Sequence, residues 1–476
     1  MNKTQGIHTY ISFLESTKDS SSSVHTSAFV NEWIEEQKKR IKVDLEITKF
    51  SKLNQWTYDA NKGSVCHTTG KFFSIDGISV KTNWGNIHHW EQPIINQPEV
   101  GYLGFLVKEI NGVLHFLVQA KIEPGNINVV QLSPTLQATR SNFQQVHKGK
   151  KPNYLDYFIS ATPEQVLVDQ LQSEQGGRFL KKRNRNIIVK VEEEIACLPQ
   201  FIWLTLGQIK KLMSQDNVVN MDTRTVISCI PFGGISDQDL IEKINQNHAT
   251  NNYPFLASAL NNSDAKHRVE ELISWMTHLK SNYDLDIKSV SLKKLDNWNF
   301  SDEAIFHEKN KYFRVIPIKI SIENREVAQW DQPMVQPAQE GLCAFVVKKI
   351  NGILHFAVQA KLECGNHDII ELAPTVQCLT GNYKNSIHKL PFLEYVLHAK
   401  KEQKLIDNYQ SEEGGRFYKE QNKNLLIIAG DEISEDLPKN YKWMTLHQLY
   451  TFLKFNNYLN IQSRSLIASI PFDYEG

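Results

Sequence analysis

Cysteine is scarce in this sequence, and the few present form no motif. Cys66, Cys197, Cys229, Cys343, Cys364 and Cys378 are spread unevenly over 476 positions. None makes the C-x-x-C pair that a zinc ribbon or a thioredoxin-like redox site needs. Buried, unpaired thiols in a reducing compartment are expected. Net charge is also missing: 53 Lys plus Arg balance 53 Asp plus Glu. Such a chain sets up no global field to hold a nucleic acid or an anionic membrane. An anionic ligand must instead be held by a local cluster of donors. No apolar run reaches the roughly 18 residues of a membrane-spanning helix. The opening Met1-Asn2-Lys3-Thr4-Gln5-Gly6 lacks the apolar core of a secretory leader. A cytoplasmic location is therefore expected. No G-x-G-x-x-G follows a strand pattern, so no nicotinamide cofactor is suggested.

What the chain does contain is a duplication. NGVLHFLVQAK at 111–121 returns as NGILHFAVQAK at 351–361, a shift of 240 residues. The same shift carries Trp90 onto Trp330, Pro93 onto Pro333, Glu123 onto Glu363, Asn126 onto Asn366 and Trp203 onto Trp443. SEQGGRF at 173–179 matches SEEGGRF at 411–417 with a shift of 238, so a two-residue length change lies between. A period this long means two copies of one fold, not a solenoid. The expected organisation is an extension over 1–27, a first module over 28–240, a linker over 241–264 and a second module over 265–476. The stretch 233–264 is rich in Gly, Asn, Ser and Asp, and Ser20–Ser23 reads as a loose serine run.

Each copy opens with a helical pattern, Ala28–Ile41 and His267–Leu279. Asn111-Gly112 and Asn351-Gly352, flanked by apolar runs, predict hairpins, because Asn-Gly tolerates the positive φ of a primed turn. A third strand is expected at Asn128–Leu132. WLTLGQIKKLM at 203–213 and WMTLHQLYTFL at 443–453 read as amphipathic helices with Thr205 and Thr445 as N-caps. The fold class expected is α+β, each copy having a mixed or antiparallel sheet with flanking helices.

VLHFLVQAKIEPGN, VQLSPTLQATRSNF and SEQGGRF in copy one, with ILHFAVQAKLECGN, ELAPTVQCLTGNY and SEEGGRFY in copy two, resemble the nucleotide-hexose 2,3-dehydratase family. The resemblance covers roughly 28–232 and 267–473. It implies two tandem Nudix-like modules, one catalytic and one vestigial, working as a homodimer without cofactor. It also implies a substrate, a nucleotide-linked 4-keto-6-deoxyhexose with thymidine diphosphate as the nucleotide. Loss of water across C2–C3 gives a 3,4-diketo-2,6-dideoxy sugar for deoxysugar synthesis. The Nudix metal-binding segment G-x5-E-x7-R-E-x2-E-E is absent, so no metal-dependent pyrophosphate cleavage is expected.

The reaction implied needs a base for the C3 proton, donors for the developing oxyanion and an acid for the leaving hydroxyl. Alternation along strand 114–123 puts His115, Leu117, Gln119, Lys121 and Glu123 on one face. At about 3.3 Å per residue, His115 and Glu123 lie about 26 Å apart and cannot share one sugar carbon. Gln119, Lys121 and Glu123 can share a site, and copy two offers Gln359, Lys361 and Glu363. Gly176 and Gly177, or Gly414 and Gly415, allow close approach to a ligand. Arg178 or Arg416 then offers a fork for phosphate, with Glu174 or Glu412 beside it. Lys182, Arg183 and Arg185 extend the same basic edge. Thr135 and Gln137, or Thr375 and Gln377, are loop donors that suit a thymine or ribose. Asn126 and Asn366 follow the turn glycines, and Arg140 and Asn142 with Phe143, or Asn382 with Tyr383, add polar groups and an aromatic face. His147 and His388 follow in similar positions. Copy two gains Glu413 where copy one has Gln175. On that ground the catalytic residues are expected in copy two: Glu413, Glu412, Lys361, Glu363 and His355. The same residues also fit a solvated strand face, tight turns closed by Arg–Glu ion pairs and, for His115 and His355, satisfied and partly buried histidines. Two other functions fit the pattern: a non-catalytic nucleotide-sugar binder, and an epimerase or ketoisomerase working through the same enolate.

Overall fold

The structure is a computed structural model that describes residues 3–22, 24–139, 151–235, 237–248, 252–323, 327–383 and 389–475. Both hairpins form. Gly101–Ile110 and Val113–Ile122 close through Asn111 at φ 52° and Gly112 at φ 80°. Gly341–Ile350 and Ile353–Leu362 close through Asn351 at φ 50° and Gly352 at φ 86°. Each hairpin is the centre of a seven-stranded mixed sheet. In the first, Arg183–Lys190 runs parallel to Gly101–Ile110, and Phe201–Thr205 runs antiparallel to Val113–Ile122. The expected third strand is Val130–Ser133, on the same strand Val113–Ile122. Leu114, Phe116, Val118 and Ala120 face the large core, as the alternation requires. The opposite face is covered as well, since Leu117 packs with Leu106, Leu155 and Phe158.

Each half also has a smaller, five-stranded antiparallel sheet, and here the halves exchange a strand. Val43–Ile47 lies antiparallel to Phe313–Ile322 of the second half. Its repeat partner Leu285–Val290 lies antiparallel to Ser74–Thr82 of the first. Helices Met221–Ser228 and Ile461–Ala468 meet where the halves join, and each buries an arginine. Arg224 donates to Ser465 Oγ (2.8 Å), Gln410 Oε1 (3.0 Å) and the Ser411 carbonyl (2.6 Å). Arg464 donates to Thr225 Oγ1 (3.1 Å) and the Ser173 carbonyl.

Several expectations shift. The 203–213 and 443–453 segments are strand first and helix second: Phe201–Thr205 then Leu206–Met213, and Tyr441–Thr445 then Leu446–Leu453. Pairing with the neighbouring hairpin draws the Trp-x-Thr end into the sheet. Thr205 and Thr445 are the N-caps, each completing a capping box. The opening helices run Ser27–Arg40 and Val269–Asn282. The 1–27 segment carries a further helix, Lys3–Lys18, whose Phe13 packs on Phe116. Ser22 of the serine run is buried, 2.9 Å from His115 Nε2. The stretch 241–264 is not a bare tether: Gln238–His248 and Pro254–Leu260 are helical. Phe255, Leu256 and Ala259 lie in the core. All six cysteines are free thiols, but Cys197 is exposed. Among the described residues no helix is long and apolar enough to cross a membrane.

Candidate active site

Strand Val113–Ile122 runs out into the turn Glu123-Pro124-Gly125-Asn126. Lys121 Nζ donates to the Gln137 carbonyl (3.2 Å) and lies 4.0 Å from the Glu123 carboxylate. Gln137 Nε2 donates to Glu123 Oε1 (2.9 Å), and Asn220 Nδ2 donates to Gln137 Oε1 (3.2 Å). Glu123 Oε2 is buried without a hydrogen-bond partner. Asn126 closes the turn by donating to the carbonyls of Lys121 (3.3 Å) and Val129 (3.1 Å).

Onto this turn docks the Gly-Gly-Arg turn of the other half. Gly125 N–H donates to the Gly414 carbonyl (2.7 Å), and Lys419 N–H donates to the Gly125 carbonyl (2.9 Å). The approach leaves no room for a side chain: a Cβ on Gly125 would lie 1.6 Å from the Phe417 carbonyl oxygen. Gly125→Ala is therefore expected to push the two turns apart. Its signature is at least a tenfold loss of turnover, of the kind a displacement of about 1 Å at a catalytic group produces. Steady-state assay of the folded variant checks this.

The docking delivers Glu413 and Arg416 to the Lys121–Glu123 end of the first sheet. Glu413 Oε1 accepts from Gly415 N–H (2.9 Å). Burial, and then the Glu123 carboxylate, pushes the Glu413 carboxyl up to about 7. The Arg416 guanidinium stacks 4.1 Å over Phe73, and donates to Gln97 Oε1 (3.3 Å) and the Gly415 carbonyl (2.9 Å). Gln332 Nε2 also donates to that carbonyl (2.6 Å), and Trp330 Nε1 donates to Gln332 Oε1 (3.1 Å). Two further charged groups line the wall. Glu174, raised by burial, accepts from Asn184 Nδ2 (2.6 Å). Lys182 is lowered by burial to about 8 and donates to the Glu99 carbonyl. These groups surround a cleft of about 1140 Å³, with Arg40, Lys151 and Asn153 also on its lining.

The repeat builds a second place of the same kind. Lys361 Nζ donates to the Gln377 carbonyl (3.2 Å), Gln377 Nε2 to Glu363 Oε1 (3.0 Å) and Asn460 Nδ2 to Gln377 Oε1 (2.6 Å). Gly365 N–H donates to the Gly176 carbonyl (2.6 Å), and Arg178 stacks 4.2 Å over Phe313. Burial raises the Glu363 carboxyl. The titratable groups differ, however. At the repeat positions, Glu413 is replaced by Gln175, Lys182 by Glu420 and Asp222 by Gln462.

Comparison with known proteins agrees with this duplicated arrangement. The family model for NDP-hexose 2,3-dehydratase matches twice, over 27–230 and 269–470, which together span most of the chain. The chain belongs to the NDP-hexose 2,3-dehydratase family. It is similar to a dTDP-4-dehydro-6-deoxy-alpha-D-glucopyranose 2,3-dehydratase of Saccharopolyspora spinosa, 46% identical over 426 residues, 88% of this chain and 86% of that one. It is also similar to an enzyme of that name from Amycolatopsis orientalis, 39% identical over 448 residues, 93% of this chain and 89% of that one.

In this family member the site is crossed between halves, which corrects the expected grouping. Glu413 does not sit with Lys361 and Glu363. It sits with Lys121 and Glu123, because each Gly-Gly-Arg turn reaches over to the other copy. Lys361, Glu363 and Gln377 meet Arg178 and Gly176 instead, and Gly177 lies beside Glu363. His355 is not in the cleft: it is fully buried, with Nε2 accepting from Lys266 N–H (3.0 Å). Burial lowers it to about 4, and His115 is spent in the same way. The Thr135 and Thr375 hydroxyls are turned into the sheet, where they donate to the Leu117 and Ala357 carbonyls. Glu412 is buried against Asn422. Asn366 is buried against Gly176. Arg185 is held by Asp169 and Tyr102 and is not on the cleft lining. Gln119 lines the cleft, and Gln359 is buried in the other half. Asn382 accepts from Gln339 (3.0 Å), and Tyr383 is half-buried near Cys378. Arg140, Asn142, Phe143, His147 and His388 lie outside the described residues. Sequence reasoning missed Asp222, Gln97, Phe73, Arg40 and the wall Trp330–Gln332. A comparison of charge at repeat positions would have found Asp222, which faces Gln462 across the repeat.

Proposed function

We propose that the chain removes water across C2–C3 of a thymidine-diphosphate-linked 4-keto-6-deoxyhexose, and that the work is done in the cleft joining Lys121 and Glu123 to Glu413. The observation that carries this is Glu413 itself. It is a half-buried carboxyl pushed up to about 7, with the Arg416 and Lys182 cations nearby, in a cleft large enough for a nucleotide sugar. A base of that strength suits removal of a proton made acidic by the neighbouring ketone. Glu413 takes the C3 proton. The Lys121 ammonium faces the charge that develops on the C4 oxygen. Arg416, fixed by its stack on Phe73, favours the ionised form of Glu413. Arg40 and Lys151 on the lining supply charge for the diphosphate, and Trp330 offers a flat apolar face. The second place, with Gln175 where the base would be, binds without turning over. On the family resemblance the working form is a homodimer in the cytoplasm.

Glu413 acts as a base only when ionised. Its carboxyl is raised, so kcat/KM is expected to climb with pH until about 7. A profile already flat at pH of about 5 would remove Glu413 from this role. The activity itself is tested by incubating the protein with thymidine-diphospho 4-keto-6-deoxyglucose and following the mass of the sugar. Loss of one water is expected, and intact substrate with no trapped diketone would contradict the assignment. Deuterium uptake from solvent without water loss would point to an isomerase instead.

A further inference from the structure

We propose that Asp222 is the catalytic acid that hands a proton to the departing C2 hydroxyl. The proposal rests on the dehydration assigned above and adds its second proton-transfer group. Asp222 stands in the first turn of helix Met221–Ser228, whose N-cap is Asn220. It is only 3% exposed, yet it lines the same cleft as Glu413 and Glu123. The charges around it are unbalanced. Glu174, Glu413 and Glu123 all act against its ionisation, while Lys121 and the buried Arg224 two residues on favour it. Carboxyls crowded in this way out of water cannot all be charged together. Burial first, and then these neighbours, hold the Asp222 carboxyl well above its ordinary range. A carboxyl kept neutral at working pH next to one poised near 7 is the division of labour that acid–base catalysis requires.

The duplication supplies an independent argument. At the repeat position the second helix, Ile461–Ala468, carries Gln462. Neither side-chain polar atom of Gln462 has a hydrogen-bond partner. So this place in the helix has no structural need of a carboxyl. The acid and the base occur together around one cleft, and both are amides, Gln462 and Gln175, in the other half.

The step balances without oxidant or reductant. The C3–H bond breaks and its proton passes to the Glu413 carboxylate. The electron pair is held as the enolate of the C4 ketone. It then returns to form C2=C3 as the C2–O bond breaks, and the oxygen leaves as water with the Asp222 proton. The enol at C3 becomes a ketone when C2 takes up a proton and the C3 hydroxyl gives one up to solvent. The proton left on Glu413 restores Asp222 by way of solvent as the released water leaves.

The test is Asp222→Asn, with Asp222→Gln as a second variant that copies what the other helix already accommodates. Both are assayed in deuterium oxide with thymidine-diphospho 4-keto-6-deoxyglucose. Water loss is expected to fall about 100-fold or more, while deuterium still enters C3 of recovered substrate through Glu413. Glu413→Gln is expected to stop both. If either Asp222 variant loses exchange and elimination together, or keeps the parental rate of water loss, the proposal is overturned. A wild-type protein that exchanges deuterium but never loses water overturns the dehydratase reading, and Asp222 as its acid with it. Infrared difference spectra separate the cases without turnover. Other raised carboxyls also absorb there, so the readout is the wild-type minus Asp222→Asn difference at neutral pH: one protonated-carboxyl band is expected in it, and its absence overturns the proposal.

Discussion

Replacing Glu413 by glutamine is expected to lower kcat by about 10²–10⁴-fold, the usual worth of a positioned base, and to leave the fold intact. The chain already contains the control for folding. The turn at 173–179 carries Gln175 at the equivalent place, and it packs onto the Glu363–Asn366 turn of the other copy in the same way. Glutamine therefore fits the backbone and volume of this turn. The substitution also removes one negative charge from a group that includes Glu123, Glu174 and Asp222, so thermal stability is expected to hold or rise. Gln175→Ala, at the mirror position, is expected to leave turnover near the parental value. Equal losses in the two variants would contradict a single working cleft.

The second large effect concerns stability. Arg224→Ala is expected to destabilise the protein by about 3–5 kcal/mol, from unpaired buried acceptors together with a cavity. Arg224 is fully buried, and it donates across the junction to Gln410 Oε1 and the Ser411 carbonyl as well as to Ser465 Oγ. Alanine strips all three of their donor. Arg224→Met restores most of the volume but none of the donors, so an intermediate loss is expected in urea unfolding. Ser411 lies two residues before Glu413. The methionine variant is therefore expected to lose turnover at temperatures where it remains folded. A change of less than about 1 kcal/mol for alanine would mean that water replaces the guanidinium.

What could be read from the sequence is what local chemistry determines. The Asn-Gly hairpins needed only two residues with positive φ, and they formed as expected. Thr205 and Thr445 cap helices because a threonine hydroxyl reaches the N–H three residues on. The apolar face of Val113–Ile122 followed from alternation alone. The errors share another cause. In a duplicated chain, a segment meets nearly the same surface whether it packs on its own copy or on the other. Val43–Ile47 and Leu285–Val290 thus carry no local sign that they exchange sheets. The turn at Glu412–Arg416 carries no sign that it serves Lys121 and Glu123 and not Lys361 and Glu363. His355 was misread because a polar residue on a strand face looks the same whether that face meets solvent or a buried backbone donor. Asp222 was hidden in a polar helix start, Met221-Asp222-Thr223-Arg224, where an acidic first-turn residue is ordinary, and only its mismatch with Gln462 marks it.

The central claim is that one cleft, assembled crosswise from both copies, holds the reacting sugar. The most direct measurement is a crystal structure with an unreactive thymidine-diphospho-hexose that lacks the 4-keto group. The hexose ring is expected between Glu413 and the Lys121–Glu123 pair, with its C3 side towards Glu413 and Asp222 within reach of the C2 hydroxyl. A hexose seated instead against Lys361 and Glu363, with the Glu413 cleft empty, would contradict the account.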